Sequence, residues 1–337
     1  AFYKQEIAVR LLKELPAESE PTFADLTGGF GVDFSYMSKP FKKALYVERN
    51  EQLCSIATQN FKCLGLNNIS TKNGDSIEVL HQLDSVSVLF LDPARRNSSG
   101  DKVVSMADCE PNVLELCDEM VKKSHFVVLK LSPMLDWHSA VAQLKYVTEV
   151  HIVSVGNECK ELLLVLTDRN KTAKGCKSNT IQIFCVNDND VFSYEEGIYS
   201  ERENILPQRI FDRNANLPPY LYEPNASIMK AGCFAQLSET YGVAALGHNS
   251  HLFVSPDFLP HFPGRKFQIV NVCTLNKKEL RRVLAGMMQA NIAVRNFPMR
   301  VDELKKRLKL RDGGEHYIFA TTRGDKEHIL IISKKEV

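Results

Sequence analysis

Thr22-Phe23-Ala24-Asp25-Leu26-Thr27-Gly28-Gly29-Phe30-Gly31 reads as a short buried strand that ends in an acidic residue and runs into a glycine loop. Glycines there let backbone approach a ligand closely and leave helix N–H groups free to meet a negative group. Working outward, strand-like segments recur at 44–47, 69–72, 86–91, 126–131, 150–155 and 162–167, with helical patterns between most of them, clearest at 52–64 and 112–122. Strand and helix alternating at this spacing predict an α/β fold, a doubly wound and mostly parallel sheet. The strands at 150–155 and 162–167 are joined by a short Gly-Asn-containing connection, so that end should close as an antiparallel hairpin.

Taken alone, the loop serves NAD, FAD or S-adenosylmethionine equally well. Three features break the tie. The dinucleotide fingerprint needs a third glycine where Phe34 stands. Asp25 ends the first strand, where it could hold a cationic amino group or brace the loop, and Glu48, next to Arg49, ends the second, placed to accept from ribose hydroxyls. Asn73-Gly74-Asp75 follows the third strand, where a carboxylate can accept from an adenine amine, and Phe90-Leu91-Asp92-Pro93 closes the fourth. Asp33 is expected to cap the next helix.

Acidic and glycine-rich features at the ends of four successive strands resemble the class I S-adenosylmethionine-dependent methyltransferases, over roughly residues 20–168. The strings 25–33 (DLTGGFGVD) and 91–96 (LDPARR), with a basic α+β tail, look like the bacterial methyltransferases carrying a C-terminal THUMP-like domain, and more distantly like the guanine-N2 methyltransferases of RNA caps. The resemblance implies S-adenosylmethionine as cofactor, held by Asp25, Thr27, Gly28, Gly29, Gly31, Glu48, Arg49 and Asp75, with Asp92 and Pro93 as catalytic residues. One departure is Thr27, which stands where the commonest loop has its first glycine. Amino-group methyltransferases carry an aromatic after their Asp/Asn-Pro-Pro string; this chain has Asp92-Pro93-Ala94-Arg95, and Trp137 is the candidate replacement as a stacking face. Carbon methylation of a pyrimidine needs a cysteine near the end of the fifth strand, where Ser132 stands, so a nitrogen or oxygen acceptor is favoured. Lys130 and Ser132 lie at the same edge and could touch substrate, Lys130 alternatively pairing with an acidic strand end; Arg95 and Arg96 are placed to grip a phosphate.

Composition sets the bounds. The 337 residues, 44% hydrophobic and 25% charged, suffice for two ordinary domains with a sizeable core. No apolar run approaches the ~20 residues of a membrane span. Nine cysteines without a CxxC pair argue against zinc ribbons and secreted disulfide scaffolds, and a reducing cytoplasm is expected. His248 and His251 lack the spacing and the nearby carboxylate of a metal site, so no metal is expected.

The net charge of +1 hides an asymmetry. Residues 265–337 hold 17 Lys and Arg against 8 Asp and Glu, a balance of +9, while the remaining 25 against 33 balance at −8. Such a division suggests a polyanionic partner for one part of the chain. Helices expected at 277–288 and 301–310 turn Leu280, Val283, Leu284, Met287 and Met288, then Val301, Leu304 and Leu308, inward. Their outer faces carry Lys277, Lys278, Arg281 and Arg282, then Lys305, Lys306, Lys309 and Arg311, a track for phosphates.

The expected organisation is an N-terminal helix (1–20, with Ile7, Leu11, Leu12 and Leu15 on one face), a methyltransferase domain (21–195), a linker (196–219), a small ferredoxin-like module (220–264) and a basic THUMP-like α+β domain (265–337). The expected function is methylation of a base nitrogen in RNA, tRNA or rRNA. The alternatives are a methyltransferase for a small molecule or protein, a dinucleotide-dependent oxidoreductase, and a non-catalytic RNA-binding protein.

Overall fold

The computed structural model describes residues 1–15, 20–95, 106–171, 180–197, 209–212, 214–324 and 326–336. Contacts divide the chain into two units, the first comprising residues 1–155, 159–186 and 193–199, the second 156–158, 187–192 and 200–337.

The first unit runs α1 (Phe2–Leu12), β1 (Thr22–Asp25), α2 (Val32–Met37), β2 (Lys43–Glu48), α3 (Glu51–Cys63), β3 (Ile69–Asn73), α4 (Ser76–Gln82) and β4 (Val86–Leu91). A two-stranded ribbon of β5 (Ala94–Arg95) and β6 (Cys109–Glu110) follows, then α5 (Val113–Lys123), β7 (Ser124–Leu131), α6 (Trp137–Gln143), β8 (Val147–Val155), β9 (Glu158–Leu166), β10 (Thr180–Asn187) and β11 (Asp190–Gly197). Among the described residues the sheet has the order β3-β2-β1-β4-β7-β9-β8-β10-β11. The strands from β3 to β7 pair in parallel. β9 runs antiparallel to β7, inserted between it and β8. β10 and β11 widen this same sheet.

The order reverses at β1, which has β2 on one side and β4 on the other, and such a reversal opens a crevice beyond the carboxyl ends of the strands. Parallel strands covered on both faces read as continuous apolar runs. All six residues of β4 are accordingly buried, and Asp92 is the first charged residue to emerge from it.

Beneath the crevice, Phe34 packs against Phe61 and Tyr46 at ring distances of 5.0 and 5.3 Å. Ile7, Ala8 and Leu11 of α1 join this core. Lys4, outside the apolar pattern read from the sequence, is buried on the same helix.

The second unit contains β12 (Tyr220–Pro224), α7 (Ala226–Ala231), α8 (Phe234–Tyr241), β13 (Ala244–Ala245), β14 (Phe253–Ser255), β15 (Gly264–Cys273), α9 (Lys277–Val283), β16 (Asn291–Arg295), α10 (Val301–Leu308), β17 (His316–Arg323) and β18 (Glu327–Lys335). Its strands form one sheet, β13-β14-β12-β15-β18-β17-β16, with β12 antiparallel to β15. Residues 220–264 and the basic tail therefore share a single sheet.

Side chains alternate across that sheet as period-two geometry requires. Ile318, Ala320, Leu330 and Ile332 face a core made with Leu280, Val283 and Leu284 of the α9 region and Leu304 and Leu308 of α10. Phe319, Ile329 and Ile331 face the opposite way, toward Leu221, Leu246 and Phe267. Both basic helices thus lie on one face of the sheet. The first is shorter than its sequence pattern suggests. It ends at Val283, Gly286 has a left-handed φ of 77°, and Met288, expected inward, is 65% exposed.

Candidate active site

A cavity of about 390 Å³ opens at the carboxyl edge of the sheet, bounded by the ends of β1 to β4. Of the residues expected to hold a cofactor, Thr27, Gly29, Glu48, Arg49 and Asp75 line it, as do Asp92 and Pro93. Glu110 and Pro111 complete the wall, brought there by the β5–β6 ribbon, and Glu110 accepts from Arg49 at 2.7 Å. No local pattern in the sequence announces these two.

The glycine loop is held from several sides. The Glu48 carboxylate accepts from the Gly29 N–H through Oε2 and from the Asn50 N–H through Oε1, both at 2.8 Å. One lone pair on each oxygen is thereby occupied and the second stays available. Tyr46 donates its hydroxyl to the Gly29 carbonyl. Gly28 is needed for packing, since a Cβ there would fall 2.0 Å from the Tyr46 ring. Gly29 differs. Its φ is 54° and nothing lies within 4 Å of where a Cβ would stand, so its backbone faces open space along the cavity wall.

Thr27, the departure from the commonest loop, joins two strand ends. Its Oγ1 accepts from the Asp92 N–H at 2.6 Å and lies 3.4 Å from Asp25 Oδ1. Asp25 itself is 1% exposed and accepts from the Thr27 N–H at 2.9 Å. Burial pushes its carboxyl up to about 8, and the nearby Asp33 and Asp92 add to the shift. Asp25 therefore braces the loop from below and does not line the cavity. Asp75 caps α4, accepting from the Ile77 and Glu78 N–H groups through Oδ1 alone.

Asp92 is tied to Lys130, whose Nζ donates to Asp92 Oδ2 at 2.6 Å and to Asp33 Oδ2 at 3.2 Å. Burial opposes the Lys130 charge, but the two carboxylates hold its pKa above the ordinary lysine value. Lys130 is thus the partner of an acidic strand end. Asp33 does not cap α2, whose N-cap is Gly31 with no side-chain bond. Instead Asp33 accepts from Lys130 and pairs with Lys4 at 3.2 Å. Burial would raise its pKa, yet the ammonium groups of Lys4 and Lys130 keep it below the usual carboxylate range.

Other expected substrate residues stand elsewhere. Ser132 Oγ accepts from the Met134 N–H at 3.1 Å, closing a turn after β7. Trp137, 3% exposed, lines a separate hollow of about 1000 Å³ with Val141, Ile181 and Glu196, so its ring offers no stacking face in the cavity above. Arg96 and the side chain of Arg95 lie outside the described residues. On the second unit, Lys305 is paired with Asp312 at 2.6 Å. Lys277, Lys278, Arg281, Arg282, Lys306 and Lys309 make no ion pair among the described residues. Among those residues no group of three His, Cys, Asp or Glu side chains is arranged to hold a metal, and no helix is long and apolar enough to cross a membrane.

The donor set suits a nucleoside. Carboxylates stand at the ends of β2 and β3 for hydroxyls and an amine, and a side-chain-free loop lets backbone come close.

Comparison with known proteins bears on the fold and the domains. Residues 264–335 match the family described as THUMP domain-like and residues 220–263 a ferredoxin-like domain. A provisionally designated methyltransferase from Porphyromonas gingivalis W83 superposes with a TM-score of 0.82 at 29% identity, covering 99% of this chain and 81% of that one. Weaker similarities reach an rRNA methylase from Streptococcus thermophilus (TM-score 0.36, 14% identity, 48% of this chain and 93% of that one). They also reach M. capricolum TrmK, solved with S-adenosyl-homocysteine (TM-score 0.34, 13% identity, 51% and 71%). No curated protein matches the chain.

Proposed function

We propose that this chain, whose class I methyltransferase fold is followed by a THUMP-like domain, transfers a methyl group from S-adenosylmethionine to a base nitrogen of RNA, tRNA or rRNA. The observation that carries the reading is the meeting of four strand ends at one cavity. Glu48 and Asp75 await the nucleoside, and Asp92 with Pro93 stands beside them with its carboxylate clamped.

The bound donor supplies an electrophilic methyl on sulfonium. The acceptor nitrogen would take that methyl group and give up its proton to water. The protein's own task is alignment and charge placement. Glu48 and Asp75 hold the donor, and the Gly29 backbone lets it close on the loop. Asp92 Oδ1, opposite the oxygen taken by Lys130, accepts from the acceptor N–H and aims the nitrogen lone pair. This bond strengthens as positive charge grows on nitrogen, so its value is realised in the transition state.

RNA is favoured as acceptor by the second unit. Two helices on one sheet face present cations of which, among the described residues, only Lys305 makes an ion pair, an arrangement that suits phosphates.

Incubation of the protein with S-adenosylmethionine carrying a labelled methyl group and total cellular RNA, followed by nucleoside analysis, tests the reading. Label in one methylated nucleoside is expected. Label confined to small molecules or protein would overturn it.

A further inference from the structure

Five charged side chains of alternating sign run from the outer helix of the first unit to the reaction cavity. Glu161 on β9 takes the Lys4 ammonium with both carboxylate oxygens at 2.6 Å. Lys4, 2% exposed, reaches on to Asp33 Oδ1 at 3.2 Å. Asp33 passes its other oxygen to Lys130 at 3.2 Å, and Lys130 ends on Asp92 Oδ2 at 2.6 Å. The members come from α1, β9, α2, β7 and the turn after β4, and no two of them are neighbours in sequence.

We infer that Lys4 and Glu161 are positioning residues for methyl transfer, acting through Asp33 and Lys130 on the Asp92 carboxylate. This rests on the proposed role of Asp92. An ammonium between two carboxylates has its direction set by both. Without Lys4, Asp33 loses the nearer of the two ammonium groups on Oδ1, keeping only the Ala1 amino group at 3.7 Å, and turns to share more of Lys130, and Lys130 moves away from Asp92. Asp92 then keeps its charge but loses the fixed direction of Oδ1. Misplacement of a catalytic group by about 1 Å costs about 100-fold in rate. Glu161 belongs to the device because a buried ammonium stays charged and fixed only when paired. The cofactor carboxylates Glu48 and Asp75 stand outside the chain of charges, so donor binding is spared.

The test is a double-mutant cycle on the full chain. Lys4→Met should lower the single-turnover methyl-transfer rate about 10- to 100-fold, with S-adenosylhomocysteine affinity within about threefold, and Lys4→Arg should recover much of the rate. In an Asp92→Ala background Lys4→Met should have no further effect, because the residue it acts through is gone. Glu161→Gln should reproduce the pattern if Lys4→Met fails to fold. Full activity in both variants, or a loss that multiplies with that of Asp92→Ala, would overturn the inference. A wild-type protein that transfers no methyl group to RNA would instead sink the proposed function. In that event nitrogen-labelled lysine NMR still decides the inference. The Lys130 ammonium, clamped on two sides, should exchange slowly in the wild type and fast in Lys4→Met, and an unchanged signal would refute the coupling.

Discussion

At the scale of single residues, the site depends on carboxylates whose surroundings differ. Glu48 holds the loop and, in the proposed function, the donor's ribose. Glu48→Ala should weaken S-adenosylhomocysteine binding by about 1.5–3 kcal/mol, the range for a hydrogen bond to a charged group. Calorimetry on the folded variant reads this directly, and unchanged affinity would remove Glu48 from the site. Asp25 makes a different prediction because it is buried beneath the loop. Its carboxyl is raised from 3.8 to about 8, so between those values the folded protein keeps a proton that the unfolded chain has released. Stability from this group is complete below pH 3.8 and is lost as pH rises through about 8. Asp25→Asn keeps an oxygen for the Thr27 N–H and removes the titration. Its melting temperature should therefore fall less than that of the wild type between pH 5 and pH 8, and parallel curves would show that Asp25 does not titrate in this window.

At the scale of elements, α1 is fastened to the sheet at two places. Besides the Lys4 pairing, Arg10 donates to both oxygens of Glu149 on β8. His151 Nε2 lies 2.9 Å from the same carboxylate, and Tyr3 Oη lies 2.8 Å from His151 Nδ1. Burial would raise the Glu149 pKa, but His151 and Arg10 pull it down to about 2. Its stabilisation is therefore present above its ordinary 4.5 and lost as pH falls through about 2. Glu149→Gln should cost about 2 kcal/mol in urea unfolding at pH 7, less than the 3–5 typical of a fully buried pair because Arg10 is partly solvated. The difference from wild type should shrink toward pH 2, and a constant difference would point to packing alone. Much of the first unit's architecture was legible in sequence because it is local: the all-buried run of β4, the glycines after β1, the acidic strand ends. The charge pairings of α1 were not. Lys4 meets Glu161 across 157 positions, and a single lysine in an apolar helix face has no periodic signature. Trp137 failed for a related reason, since the sequence shows an aromatic near a strand end but not which way the helix turns it.

At the scale of the whole molecule, charge is divided along the chain, −8 for residues 1–264 and +9 for residues 265–337. The basic part carries Lys277, Lys278, Arg281 and Arg282 on α9 and Lys305, Lys306 and Arg307 on α10, two helices that pack on the same face of the second sheet. Lys278 and Arg282 stand one helical turn apart on α9, both exposed. If this surface grips RNA through phosphates, binding releases counterions, and log affinity should fall linearly with log salt with a slope of about 0.7 per phosphate on single strands. Replacing Lys278 and Arg282 together by Ala should flatten the slope by about 1.4, two contacts' worth. It should weaken binding to unrelated sequences by similar factors, because phosphate contacts carry little sequence information. Affinity for S-adenosylhomocysteine should stay unchanged, since every residue lining the cavity proposed for the cofactor belongs to the first unit. Filter binding at several salt concentrations, with calorimetry alongside, separates the outcomes. RNA binding that ignores salt, or a slope the double variant leaves intact, would take the basic helices out of substrate recognition and move the acceptor toward a small molecule or a protein.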